Sequence, residues 1–223
     1  MKMASPAGVV RPYAPKDRQA VREICYATGF VGDSAQWWWR DFESFADMWT
    51  KYYTDREPES AFVIDMGGVV TGYLTGCYDS ERAWDPGVIA ARHAIRRLCL
   101  FRPGTASTIW RGIADAAIDK ISQKGDPPKP FKDSRWPSHL HIDMLEVARG
   151  KGFGRQLVDT WLARLRELGS PGCHLETLHE NYAAIAFFES VGFTRHGPPQ
   201  LLAGIRDRVG LRMHGQVMVR SLD

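Results

Sequence analysis

Three features of the 223-residue chain predict an α/β fold. A strand followed by a helix opens the chain, two β-prone runs flank a Gly67-Gly68 turn, and the last third alternates strand, Gly-rich turn, helix, strand and helix. The length lies above the usual single-domain size of roughly 100–150 residues but below the ~250–300 at which one core splits. One domain over residues 1–223, carrying an insertion, is the expectation.

Gly8 to Arg11 is a short β-prone run, and Pro15-Lys16-Asp17 starts a helix that sets Val21, Ile24, Cys25 and Thr28 on one face and stops at Gly29. From Ser34 a second helical pattern aligns Trp38, Phe42, Phe45, Trp49 and Tyr52, ending before Glu57-Pro58. Ser60 to Met66 and Val69 to Cys77 read as a hairpin around the two glycines. Asp79 to Arg135 then breaks the rhythm and reads as an insertion. Ile89, Ile95, Leu98 and Phe101 suggest one helix there, Ile109, Ile113, Ala117 and Ile121 another, and residues 126–130 an irregular stretch.

After Trp136-Pro137, polar and apolar residues alternate from His139 to Leu145, so His139, His141 and Asp143 share one strand face. A long helix follows from about Gly152 with Leu157, Val158, Trp161, Leu165 and Leu168 along it and Gly169 as its cap. Cys173 to Leu178 is a strand, Glu180 to Val191 a helix closed by Gly192, and Gly215 to Ser221 a last strand.

Composition bounds the function. Lys+Arg 29 against Asp+Glu 26 leaves +3, which gives no ground for a nucleic-acid partner. Cys25, Cys77, Cys99 and Cys173 lie far apart with no C-x-x-C pair, against a zinc site or a disulfide framework. No run approaches the ~18 apolar residues of a membrane span. A cytoplasmic protein is the default expectation. Five arginines and no acid lie between Val88 and Arg111. They suit a phosphate, an acidic partner or a membrane surface, or else a solvated basic face over a packed apolar one.

Arg149-Gly-Lys-Gly-Phe-Gly154 sits between a strand and a helix. Closely spaced glycines there turn backbone N–H groups towards one point at a helix N-terminus, which binds an anion. Position 155 is Arg, so the loop is not the dinucleotide fingerprint, and no phosphate-loop motif ending in G-K-[ST] occurs.

Arg149-x-x-Gly152-x-Gly154, with Asn181-x-x-Ala184-x-x-x-Phe188-x-x-x-Gly192-Phe193, resembles the two motifs of the GNAT N-acetyltransferase superfamily. The opening Val10-Arg11-Pro-Tyr-x-x-x-Asp17 and the hairpin ending in Gly72-Tyr73 fit it too. More narrowly, His139 to Leu145, Glu57-Pro58-Glu59, the arginine-rich insertion and Gly210 to Met218 resemble the bacterial and fungal branch related to the acetyltransferase-like domain of O-GlcNAcase.

The resemblance implies a GNAT fold: a mixed, mostly antiparallel twisted sheet flanked by helices, with a helical insertion between the third and fourth strands. It also implies an acetyl-CoA site. Pyrophosphate would meet the N–H groups of Gly150, Lys151, Gly152, Phe153 and Gly154, with the Arg149, Lys151 and Arg155 side chains nearby. Met144 and Leu145 would offer main-chain hydrogen bonds to the pantetheine arm, and Asn181, Ala184, Phe187 and Phe188 would line its other side. The following strand must splay away to expose that edge. The implied activity is acetyl transfer to a primary amine, small molecule or protein lysine, by direct attack in a ternary complex. A non-catalytic cofactor-binding module is the alternative, and a homodimer is compatible with either.

Direct attack needs a neutral amine. For a lysine-like acceptor of pKa about 10.4, deprotonation at pH 7 costs about 4.6 kcal/mol, so a nearby general base is valuable. Asp143 is the first candidate, with Glu176 and His141 as alternatives. A structural carboxylate at Asp143, held by His141 or an arginine, remains open. The tyrosine that many relatives place before the Gly-Phe pair, as acid for the leaving thiolate, is Phe188 here. A thiol of pKa about 8.5 costs only about 2 kcal/mol at neutrality, so losing that donor slows the reaction without forbidding it; Tyr182 or water could substitute, or Tyr182 is simply a surface residue. Neither a metal site at His139, His141 and Asp143 nor a covalent route through Cys173 is favoured. Trp37-Trp38-Trp39 with Asp33 and Asp41 would suit a cationic amine, or simply pack as core.

Overall fold

The computed structural model describes residues 8–97, 99–101, 104–122 and 130–222. Leu98, Arg102 and residues 126–129, assigned above to a helix, a basic cluster and an irregular stretch, lie outside them.

Along the chain the elements are β1 (Gly8–Pro12), α1 (Arg18–Thr28), α2 (Phe42–Arg56), β2 (Ala61–Met66), β3 (Val69–Cys77), α3 (Pro86–Arg96), α4 (Thr105–Ile121) and β4 (Ser138–Met144). They continue as α5 (Phe153–Glu167), β5 (Gly172–Leu178), α6 (Tyr182–Ser190), β6 (Thr194–Arg206) and β7 (Arg212–Ser221). The seven strands lie in the order β1-β2-β3-β4-β5-β7-β6. Every neighbouring pair is antiparallel except β4 and β5, and α3 and α4 fall between the third and fourth strands.

Local chemistry explains most boundaries. Asp17 accepts from Ala14 N at 2.8 Å and pairs with Arg11, fixing the turn into α1. Gly67 and Gly68 both have positive φ, 66° and 90°, as a tight hairpin turn requires. Asp41 caps α2 by accepting from Ser44 N at 3.0 Å, so α2 begins later than the aromatic pattern suggests. Ser34 starts only a separate short turn, Ala35–Trp37.

β6 has no counterpart in the sequence reading. Pro198 and Pro199 argue against a strand, but β6 is an edge, its register is broken between His196 and Gln200, and missing N–H donors are tolerated there.

One face of the sheet is covered by α5 and α6. Leu157, Val158, Trp161, Leu162 and Leu165 pack with Leu140, Leu175 and Met218, while Leu168 is exposed. Trp161 lies so close to β3 that a Cβ on Gly76 would come within 2.6 Å of its ring. The opposite face carries α1 and α2, with Val21, Ile24 and Phe45 against Val63, Tyr73 and Met213.

The insertion reverses the expected arrangement. Ile109 packs inward, but Ile113, Ile118 and Ile121 are exposed and the buried side of α4 is polar. Thr105 Oγ1 accepts from Arg40 N and Asp41 N at 3.0 and 3.1 Å, and Thr108 donates to Trp38 O at 2.7 Å. Asp115 takes both guanidinium nitrogens of Arg206, at 2.6 and 2.7 Å, and Asp119 binds Arg212. On α3, Arg92 and Arg96 are exposed together with Val88 and Ile95, and Arg97 reaches Asp41. A basic face exists, with Ile89 buried and Ala90 packed beneath it, while Val88 and Ile95 stay exposed beside it. No helix among the described residues is long and apolar enough to cross a membrane.

Candidate active site

β4 pairs in parallel with β5 only at Ser138↔Cys173 and His139↔His174, although β4 runs on to Met144 and β5 to Leu178. Beyond these two pairs the strands part, and the splay expected from the sequence is present. β4 stays paired with β3 throughout, and Leu145 N donates to Thr71 O at 2.9 Å. Alternation in an antiparallel ladder then turns the main-chain groups of Asp143 and His141 towards β3 and those of Ile142 and Met144 towards the gap.

This corrects the expected pair. Leu145 is committed on both sides, since its carbonyl accepts from Ala148 N at 2.9 Å. Ile142 takes its place beside Met144. The Met144 carbonyl itself accepts from Arg149 Nε at 2.9 Å, and Arg149 also donates to Gly32 O at 3.0 Å. Arg149 therefore ties the glycine loop to the segment after α1 instead of standing free for a phosphate.

The loop has the conformation its glycines predict. Gly150 and Gly152 lie at φ 71° and 83°, with open space where a Cβ would sit. Gly152 caps α5, and Gln156 is the first residue of that turn to bond back, to Gly152 O. The N–H groups of Phe153, Gly154 and Arg155 thus point out of the helix start, where the helix dipole is positive. Lys151 is exposed beside them. Arg155 donates to Ser190 O at 2.9 Å, so its charge leans towards the end of α6. The Phe153 side chain is buried in the core beside Gly8 and anchors the loop; its contribution to a ligand is limited to its N–H.

Across the gap, Asn181 caps α6 by accepting from Ala184 N, and Ala184 and Phe187 are partly buried. The Phe187 ring and the Met144 Cε both lie about 3.1 Å from where a Gly154 Cβ would be, so they form one wall. Phe188 is not part of that wall. It is 5% exposed and packs on Phe187 and Phe193. Tyr182 is 69% exposed, with His179 as its ring neighbour.

His139, His141 and Asp143 do share the other face of β4. Tyr73 donates to Asp143 Oδ2 at 2.6 Å. Burial pushes the Asp143 carboxyl up to about 6, against the opposing hydrogen bonds of Tyr73 and Thr28 and the charge of Arg149. His141 does not hold it, and Arg149 acts on it through its charge, not through a hydrogen bond. His141 lies against the rings of Trp49 and Tyr53, and burial lowers it to about 4, so it is neutral. His139 is fixed between Tyr53 Oη and Ser80 Oγ, both at 2.7 Å, and is pushed well down by burial. Glu176 is exposed beyond the point where the strands part, and crowding by neighbouring atoms raises its carboxyl. Its contact with solvent limits that rise. Cys173 is buried and its thiol is pushed up to about 12, unsuited to nucleophilic attack.

The tryptophans divide. Trp38 and Trp39 are core, and Asp41 serves α2 and Arg97. Trp37 is half-buried under the Arg208 guanidinium, 5.3 Å from its ring centre, and Arg208 pairs with Asp33 at 3.4 Å. Ser34, Gln36, Trp37, Arg40 and Arg208 line a surface cavity of about 460 Å³. The set is cationic and corrects the amine-binding box. Tyr73, Thr28, Ile142 and Arg208 were not identified from the sequence. A hairpin register extended to β4 would have set Tyr73 opposite Asp143; the other three carry no local signal.

Residues 128–193 match the acetyltransferase (GNAT) family model. A segment of 49 residues is 47% identical to the mycothiol acetyltransferase of Geodermatophilus obscurus, covering 22% of this chain and only 16% of that relative. Whole-chain likeness is found in solved structures. The crystal structure of SsHAT aligns at TM-score 0.64 and 26% identity, over 98% of this chain and 100% of that one. The acetyltransferase yncA of Salmonella typhimurium, solved with its cofactor acetyl-CoA, aligns at 0.58 and 19% identity, over 97% and 95%. A ribosomal-protein-alanine N-acetyltransferase from Brucella melitensis aligns at 0.56 and 18%, over 96% and 99%. The chain has the GNAT fold, and its residues 128–193 match the acetyltransferase (GNAT) family model.

Proposed function

We propose that this protein transfers acetyl from acetyl-CoA to a primary amine by direct attack in a ternary complex. One observation carries the reading: β4 opens away from β5 immediately before the glycine-rich start of α5, with Asp143 on the opposite face of the same strand. The cosubstrate, when bound, supplies an activated thioester carbonyl. The chain's own residues bind and orient. N–H groups from Gly150 to Gly154 meet the pyrophosphate, Ile142 and Met144 align the pantetheine arm, and Asn181, Ala184 and Phe187 close its far side.

Asp143 accepts the proton of the attacking amine. A carboxylate with pKa near 6 is a better match to that task at neutral pH than one near 4. Tyr73 and Thr28 hold it in position. Glu176, exposed on β5, is the second choice. If the acceptor enters through the Trp37 cavity, an amine that also carries an acidic group is favoured, because Arg40 and Arg208 flank that cavity and Asp33 pairs with Arg208. The O-GlcNAcase-like branch and a cytoplasmic setting belong to the same proposal. A non-catalytic cofactor-binding module is the second reading, favoured by one fact: Phe188 brings no hydroxyl to the site and is buried.

Coenzyme A release, measured with α-amino acids and with their amides as paired acceptors, tests this. The expected result is turnover, faster with the acids, with the preference reduced about tenfold in Arg40→Ala/Arg208→Ala. Cofactor binding without turnover on any amine would support the second reading.

A further inference from the structure

Phe30 and Asp33 close a two-residue turn. Phe30 N donates to Asp33 O at 2.9 Å and Asp33 N to Phe30 O at 2.8 Å, so Val31 and Gly32 form its corner, at φ 53° and 86°. Glycine suits such a corner, but a β-branched residue there is a genuine outlier. Among the described residues Val31 alone of the non-glycines has a positive φ, and its side chain is 41% exposed, so burial does not offset the strain. Strain of this kind persists only where neighbouring contacts hold it.

Three contacts hold this turn. The Phe30 ring is buried edge-on to Trp37, with ring centres 4.8 Å apart. Asp33 pairs with Arg208, whose guanidinium lies over Trp37. The Arg149 guanidinium packs on Gly32, where a Cβ would meet both of its terminal nitrogens at 3.1 Å, and donates to Gly32 O. Arg149 is bonded to two neutral carbonyls, Gly32 O and Met144 O, and among the described residues no carboxylate is hydrogen-bonded to it. The turn therefore joins the glycine loop, through Arg149, to the cavity lined by Ser34, Gln36, Trp37, Arg40 and Arg208.

We propose that this turn is a two-state strap coupling the glycine loop to the Trp37 cavity: Arg149 holds it closed, and a diphosphate on the loop opens it by drawing the guanidinium away. A guanidinium–phosphate pair, bidentate and charged on both sides, outcompetes bonds from the same cation to neutral carbonyls. Arg149 directly precedes Gly150, so rotation within its own side chain suffices for the exchange. Gly32 O then loses its partner, and Val31 relaxes out of the left-handed region. The Phe30–Asp33 bridge parts, Asp33 releases Arg208, and Arg208 moves off Trp37. The coupling is reciprocal, since an anion in the cavity that draws Arg208 from Asp33 favours the same open turn. The inference rests on the reading of the glycine loop as a coenzyme A site.

Hydrogen–deuterium exchange of the full chain, with calorimetric titration of coenzyme A in parallel, tests it. The Phe30 and Asp33 amides protect each other in the closed turn. Coenzyme A is expected to speed their exchange at least about fivefold, and pantetheine, which has no diphosphate, to leave it unchanged. Arg149→Ala is expected to exchange fast at residues 30–33 with and without coenzyme A. Val31→Gly removes the strain, so its turn stays closed and coenzyme A speeds exchange there less than about twofold. That variant carries the test should Arg149→Ala fail to fold. Coenzyme A that binds yet leaves exchange at residues 30–33 unchanged or slower overturns the strap and leaves acetyl transfer standing, as does a Val31→Gly response equal to the parent's. Absence of binding at millimolar coenzyme A overturns both.

Discussion

Tyr73 stands directly opposite Asp143 in the β3–β4 ladder and donates its hydroxyl to Oδ2 across 2.6 Å. The bond favours the ionised carboxylate, while burial disfavours it more strongly and sets the net upward shift to about 6. If Asp143 is the base, kcat rises with pH through about 6. Tyr73→Phe removes a stabiliser of the anion, so the limb of the pH profile moves to higher pH. Asp143→Asn lowers kcat at least tenfold and leaves acetyl-CoA affinity nearly unchanged. A pH–rate profile of the three proteins checks this, and an unchanged Asp143→Asn turnover redirects the role to Glu176.

The same group has a stability signature. Its folded pKa lies above the ordinary carboxyl value of 3.8, so the native state holds the proton more tightly. Its stabilising effect is present below about pH 4 and is lost as pH rises through about 6. Asp143→Asn is therefore expected to be at least as stable as the parent at pH 7, with the difference shrinking towards pH 4. Urea unfolding at both pH values reads it.

Asp115 has the opposite sign. Both Arg206 nitrogens and Gly204 N hold its carboxylate, and its pKa falls to about 2. Its contribution is present above about 3.8 and disappears as pH drops towards 2. Asp115→Ala leaves Arg206 without its main partner and costs about 3 kcal/mol at neutral pH. Thermal unfolding at pH 7, and a smaller difference at pH 3, are the expected observations.

Much of this arrangement was legible in the sequence. Period-two alternation from His139 to Leu145 assigned the faces of β4, and the glycines at 150 and 152 do take the left-handed conformations their spacing suggests. What escaped it depends on partners distant in the chain. Arg149 looks like a phosphate ligand locally, but it bonds to carbonyls at Met144 and Gly32. Isoleucines at helical spacing in α4 look like core, yet the arginines that draw Asp115 and Asp119 inward lie some ninety residues away in β6 and β7. β6 was hidden by its prolines, which only an edge position tolerates.

The two loop features can be separated by mutation. Gly152→Ala puts a Cβ on a backbone at φ 83°, a conformation costing roughly 1–2 kcal/mol for a residue with a side chain. It is expected to weaken acetyl-CoA binding at least fivefold. Arg149→Ala removes a guanidinium already committed to two carbonyls and is expected to weaken binding less.

Calorimetric titration with acetyl-CoA tests the central claim most directly. The expected result is saturable one-to-one binding by the native chain, weakened by Gly152→Ala and unaffected by Asp143→Asn. Absence of binding at millimolar acetyl-CoA, in a chain shown to be folded, would contradict it.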